Sequence, residues 1–129
     1  NAELNSVEDK VKIIKCDVLN PDFIYYNEKA DFILSNPPYI KTDDIKNLQP
    51  EVQKEPLLAL DGGKDGLDFY RSIIKSWKSA LNNGGYFLVE CGFDQAEEIK
   101  KIFYENSYEI KETVKDLNGL DRVLCAKIK

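Results

Sequence analysis

Asn36, Pro37, Pro38 and Tyr39 come directly after an apolar run, Phe32-Ile33-Leu34. Proline has no N–H and a fixed φ, so neither a strand nor a helix simply continues through this point. Proline also excludes the helical region for the residue before it, so Pro37 holds Asn36 extended and Pro38 does the same to Pro37. Two prolines in succession lower the entropy lost in keeping one pose. The result is a rigid elbow that can project the Asn36 amide oxygen and the Pro37 carbonyl, with the Tyr39 ring as a flat wall. Both projected groups are acceptors, matched to a planar –NH₂ with two hydrogens to donate. Accepting both hydrogens orients the nitrogen and shifts electron density toward its lone pair. The chemistry that suits such a pair is the use of an amide or exocyclic amino nitrogen as a nucleophile without a strong base. The chain has no histidine, so the commonest general base is absent in any case. Read without its surroundings, Asn-Pro-Pro-Tyr is also a plain turn; its place after an apolar strand favours the site.

The elements that must hold this elbow can be read from the hydrophobic periodicity. Residues 11–16 (VKIIKC) read as a short β-branched strand with Asp17 at its C-terminal edge, and residues 20–23 (NPDF) as a turn. Residues 30–35 read as a second strand, apolar on both faces as in a covered parallel sheet. Residues 39–66 form a long irregular stretch, of the kind that is usually functional or mobile. Leu67, Tyr70, Ile73, Ile74, Trp77 and Leu81 recur at helical spacing, and Asn82-Asn83-Gly84-Gly85 would stop that helix. Residues 86–91 predict a third strand closed by Gly92, and Gln95 to Asn106 a second helix with Ala96, Ile99, Ile102 and Phe103 on one face. Residues 108–115 and 122–129 read as two strands joined by the loop at 116–121. Alternating strands and helices imply a three-layer α/β domain with a mostly parallel sheet, whose ligands sit beyond the C-terminal strand ends. Asp17, Asn36, Glu90 and Gly92 fall at that edge.

Composition narrows the classes. A chain of 129 residues with 43% hydrophobic and 32% charged content is one globular domain. No apolar run approaches the roughly 20 residues that span a bilayer, and no signal peptide opens the chain, so no membrane partner is expected. The net charge of −5 argues against broad phosphate-backbone binding and hence against a direct nucleic-acid partner. Cys16, Cys91 and Cys125 are far apart and lie in apolar surroundings, which reads as buried free thiols in a reducing cytoplasm, with no metal site. The chain has no methionine and begins at Asn1, and it reads as a piece of something longer.

Asn-Pro-Pro-Tyr after a β-strand resembles the signature of S-adenosylmethionine-dependent amino-group methyltransferases acting on DNA, RNA or protein glutamine. The surroundings narrow the resemblance. The segment LQPEVQKEPLLALDGGKDGLDFYRSII (48–74) is similar to the region after this motif in the peptide chain release factor glutamine methyltransferases (the HemK or PrmC family). GGYFLVECG (84–92), with Gln95 just beyond, resembles that family's fifth strand and helix start, and DLNGLDRV (116–123) its D-x-x-G-x-x-R ending.

The resemblance implies that the substrate is the glutamine of the Gly-Gly-Gln motif of a release factor. Its amide nitrogen would attack the sulfonium methyl in line, giving N5-methylglutamine and S-adenosylhomocysteine. Asn36 and Pro37 would be the catalytic acceptors, with Asn36, Pro37, Pro38 and Tyr39 binding substrate. Asp17, Val18 and Asn36 would bind S-adenosylmethionine, with positioning and desolvation supplying most of the rate. The family's fold implies strand order 3-2-1-4-5-7-6 with an antiparallel last strand. The glycine-rich cofactor loop and the N-terminal helical domain have no counterpart in residues 1–129, so the chain is expected to be the C-terminal portion of the catalytic domain, an incomplete Rossmann-like methyltransferase fold lacking its first strands. With half of its cofactor site missing, the chain is expected to bind S-adenosylmethionine weakly and to be inactive alone. Its shortened sheet would either re-pair residues 11–16 beside residues 32–34 or bring two chains together along that edge. Two other readings stay open: a nucleic-acid amino methyltransferase acting on adenine or guanine, and a non-catalytic α/β module.

Overall fold

The computed structural model describes residues 1–20 and 29–129. Four strands form one sheet: β1 (Ala30–Ser35), β2 (Leu81–Glu90), β3 (Tyr108–Lys115) and β4 (Asp121–Ile128), in the order β1-β2-β4-β3. β1 pairs parallel with β2, and β4 runs antiparallel to both β2 and β3. Three strands therefore share one direction and only the last in sequence is reversed. The order reproduces the 4-5-7-6 half of the expected sheet.

Side-chain alternation decides which face is covered. Ile33 on β1, Phe87 and Val89 on β2, and Leu124 and Ala126 on β4 point to one face and are buried. Onto that face pack α2 (Asp68–Ser76) through Tyr70, Ile73 and Ile74, and α3 (Ala96–Glu105) through Ala96, Ile99, Ile102 and Phe103; a single helical turn, α1 (Leu57–Leu60), precedes them. Phe87, Phe103 and Tyr108 meet edge to face at its centre, with ring centroids 5.3–6.2 Å apart, the geometry that aromatic quadrupoles favour. Among the described residues the other face has no helix over it. Phe32 stacks on Tyr86 there at 5.6 Å, and Phe32 and Leu34 remain 60% and 74% exposed. Two of the three expected layers are thus present among the described residues.

Several expectations need correction. Residues 11–16 form no strand among the described residues, and Ile13 is 86% exposed. β-branched composition does not make a strand without a neighbour to pair with. They do not re-pair beside β1 either, which remains a sheet edge among the described residues. The helix from Leu67 is shorter than its periodicity predicts: α2 ends at Ser76, a 3₁₀ turn covers Trp77–Ala80, and Leu81 already belongs to β2. Asn82 to Gly85 therefore lie in an irregular start to β2, with Gly84 at φ +75°, rather than in a helix stop. The long stretch after the elbow is built from short turns at Thr42–Asn47 and Val52–Lys54 together with α1. Cys16 is exposed and Cys125 half-buried, so only Cys91 is the buried thiol expected of all three; burial lifts its pKa to about 11, which leaves it protonated and unreactive near neutrality. The expected turn at 20–23 lies, apart from Asn20, outside the described residues. No helix among the described residues is long and apolar enough to cross a membrane.

Candidate functional site

β1 ends at Ser35, paired with Val89 of β2, so the elbow leaves the sheet beside the end of β2. There Pro37 is buried and Asn36 exposed. The Asn36 amide makes no hydrogen bond with another described residue, and no described donor reaches the Pro37 carbonyl. Among the described residues, both acceptors are free for a ligand.

The segment after the elbow is tied down. Ile40 N–H donates to the Leu60 carbonyl (3.0 Å), Gly62 N–H to the Ile40 carbonyl (2.8 Å) and Thr42 N–H to the Gly63 carbonyl (3.0 Å). Asp61 closes the same turn, accepting from the Thr42 hydroxyl (2.8 Å) and the Gly63 N–H (2.9 Å). The Gly63 N–H first, and the Thr42 hydroxyl second, hold its carboxyl below the ordinary range. Gly62 is required for this approach: a Cβ there would stand 2.8 Å from Tyr39 Cα and 2.9 Å from the Pro38 carbonyl oxygen. The Gly-Gly pair at 62 and 63 thus lets the 48–66 stretch lie against the elbow.

Tyr39 turns back over the end of β2, its hydroxyl 3.5 Å from Glu90 Oε1. Burial, reinforced by the Glu90 carboxylate, raises the phenol above its ordinary pKa, so it stays protonated. The buried Tyr70 hydroxyl donates to the Glu90 carbonyl (2.7 Å). Arg122 closes the edge from β4, donating to the Cys91 carbonyl (3.1 Å) and to Asp116 Oδ2 (3.0 Å). Asp116 also accepts the Asn118 and Leu120 N–H groups. The D-x-x-G-x-x-R spacing is a latch between the β3–β4 loop and the end of β2.

Two cavities meet at the elbow. The larger, about 860 Å³, is bounded by Asp17, Val18, Asn36, Pro37, Pro38 and Phe69 among others. The smaller, about 230 Å³, is bounded by Asn36, Pro37, Tyr39, Val52, Glu55 and Ala59 among others. Asn36, Pro37 and Ala59 line both cavities. Of these two, Pro38 lines the larger and Tyr39 the smaller. Asp17 reaches the larger one from a turn rather than a strand end, and its carboxylate caps that turn by accepting the Leu19 N–H (2.9 Å). The turn is held to the helical layer by the Trp77 indole N–H, which donates to the Val18 carbonyl (3.4 Å). The larger volume falls in the range of nucleoside-sized ligand sites, and its lining is mainly apolar with a few polar groups, as such sites are. Glu55 and Val52, on the smaller cavity, and Gln95 beneath the elbow are contributions that no spacing rule singled out.

The parallel pair ending in an acceptor elbow, the order β1-β2-β4-β3 and the reversed last strand make this part of an S-adenosylmethionine-dependent methyltransferase fold. The crystal structure of M1.HpyAVI shares that fold, with TM-score 0.56 and 18% identity, over 92% of this chain and 55% of that one. By sequence the chain belongs to the release factor glutamine methyltransferase family. It is 41% identical over 126 residues to the release factor glutamine methyltransferase of Thermodesulfovibrio yellowstonii, matching 96% of this chain and 43% of that one. Against the enzyme of the same name from Geobacter sulfurreducens it is 48% identical over 103 residues (79% and 36%). Against that of Clostridium botulinum it is 43% identical over 124 (95% and 44%). The chain thus spans about two fifths of the length of these curated relatives. No family model matches it.

Proposed function

We propose that this chain carries the acceptor half of a release factor glutamine methyltransferase site, and that the whole protein methylates the side-chain amide nitrogen of the glutamine in a Gly-Gly-Gln motif. The observation that carries the reading is that the two free acceptors, Asn36 and Pro37, line two adjoining cavities at once. A methyl donor in the larger and an amide in the smaller would meet across them.

The residues present fit the donor in part. The larger cavity offers apolar Val18, Pro37 and Phe69 for a ring and the Asp17 carboxylate for a polar edge. When bound, S-adenosylmethionine supplies an electrophilic methyl on a sulfonium sulfur. The chain's own residues do the rest. Asn36 Oδ1 and the Pro37 carbonyl accept the two hydrogens of the substrate –NH₂ and aim its lone pair toward the larger cavity. Tyr39, held over Glu90 and protonated, packs against the flat amide and keeps water off it. No side chain here takes a proton before transfer; orientation and desolvation do the work, and the one proton that the methylated nitrogen must lose passes to solvent afterwards. The sequence has no glycine-rich loop after a strand, so the 129 residues alone hold the donor weakly and turn over negligibly. The β1 edge, unpaired among the described residues, and the exposed Phe32 and Leu34 favour association of two such chains.

The experiment is methylation of a purified release factor by a polypeptide carrying these residues at the length of its relatives, read by mass spectrometry of the Gly-Gly-Gln peptide. Methyl on the glutamine supports the reading. Methyl on adenine or guanine of added nucleic acid, with none on the release factor, overturns it.

A further inference from the structure

Gln95 is a buried polar side chain, 6% exposed, set just before α3. It is the one polar or charged residue among the described ones that is buried to this degree. Its amide is fully used. Nε2 donates to the Tyr39 carbonyl (2.9 Å) and to the Gly66 carbonyl (3.3 Å), and Oε1 accepts the Gly92 N–H (3.1 Å). The orientation is fixed by its partners, since a flipped amide would set an oxygen against two carbonyls. The three partners come from three different segments: the end of the elbow, the far end of the 48–66 stretch and the turn after β2. The end of the elbow and the 48–66 stretch are also joined by the Ile40–Leu60, Gly62–Ile40 and Thr42–Gly63 backbone hydrogen bonds, but neither segment reaches the turn after β2 by one. The packing leaves no room for a substitute. A Cβ on Gly66, already at φ +76°, would collide with both the Tyr39 carbonyl and the Gln95 amide, and one on Gly92 would lie 2.7 Å from Gln95 Oε1.

We infer that Gln95 is the positioning residue of the elbow. One amide, supported from below by α3, fixes where Tyr39 leaves the acceptor pair and anchors to the turn after β2 both the elbow and the 48–66 stretch, which carries Val52 and Glu55 of the smaller cavity. Leaving Tyr39 and Gly66 carbonyls unpaired beside an apolar core is costly, so loss of the clamp frees both segments, still joined to each other, from the turn after β2. The clamp stands on geometry alone; its consequence for methyl transfer rests on the function proposed above.

The two parts are separable by experiment. On the 129-residue chain, amide hydrogen exchange is compared for the wild type, Gln95→Leu and Gln95→Glu. Gln95→Leu removes all three bonds; Gln95→Glu keeps an acceptor for Gly92 N–H and removes both donors. Exchange at Ile40, Thr42 and Gly62 rises about tenfold or more in both variants, Gly92 stays protected in Gln95→Glu only, and Val89, Phe103 and Leu124 are unchanged. Acceleration spread evenly over the core amides, collapse of both variants, or unchanged exchange at the elbow overturns the inference. In the polypeptide of relatives' length, Gln95→Leu lowers kcat about tenfold or more with the Kd for S-adenosylmethionine within about twofold of wild type. A variant with unaltered kcat overturns the catalytic consequence. A wild type that fails to methylate any release factor overturns the proposed function instead and leaves the exchange result to judge the clamp.

Discussion

Among single residues, the elbow works by what its neighbours leave undone. Asn36 and the Pro37 carbonyl have no partner among the described residues, whereas Tyr70, Gln95 and Arg122 behind them are each hydrogen-bonded. Tyr70 is an example: its hydroxyl, buried in the core, ends on the Glu90 carbonyl (2.7 Å) and fixes the strand end over which Tyr39 sits. Tyr70→Phe removes the donor and leaves that carbonyl short of a partner. We expect a loss of about 1–2 kcal/mol in denaturant unfolding with an unchanged slope; an unaltered midpoint would show that the carbonyl is satisfied elsewhere.

Between elements, the site edge is made by contacts that cross between segments far apart in sequence, and the Asp116–Arg122 latch on the end of β2 gives that edge a pH dependence. The Arg122 guanidinium first, and the Leu120 N–H next, hold the Asp116 carboxyl below its ordinary pKa. A depressed carboxyl contributes stability that is present above the unfolded-state value near ~4 and is lost as pH falls through the folded one. The denaturation midpoint should therefore fall as pH drops from about 5 to about 3, and fall less steeply in Asp116→Asn. Equal pH slopes would show that the latch adds nothing to acid stability.

How much of this is legible in the sequence depends on the same distinction between local and distant interactions. β1, α3, β3 and β4 stand within a residue or so of where periodicity sets them, because each carries its own pattern and stop. The elbow is legible because two prolines dictate its backbone locally. The residues at 11–16 have strand composition but join no sheet among the described residues, and joining a sheet depends on the surroundings rather than on the segment. Leu81 has helical spacing from Leu67 yet opens β2, because tertiary packing overrides local propensity near an element's end. Gln95 and Glu55 are silent in pattern and acquire roles only where the fold brings distant loops together.

Over the molecule as a whole, the sheet has one covered face and one open one among the described residues. Phe32, Leu34, Tyr86 and Leu88 lie on the open face, with Lys127 over the Tyr86 ring at 5.2 Å, and β1 presents an edge beside them that is unpaired among the described residues. Such an edge templates pairing with another chain. Sedimentation of the 129-residue chain should show concentration-dependent association that Leu34→Lys weakens; a monomer unchanged across the concentration range would remove self-association.

Whether Asn36 with Pro37 holds the nucleophilic amide is decided by Asn36→Ala in the polypeptide of relatives' length, assayed on a Gly-Gly-Gln release factor alongside calorimetry with S-adenosylmethionine. We expect a loss of about 10²–10³-fold or more in kcat, the scale of removing one preorganised hydrogen-bonding group from a transition state, with cofactor affinity largely retained. Near-wild-type turnover, or a loss explained entirely by weaker cofactor binding, would refute that role for the elbow.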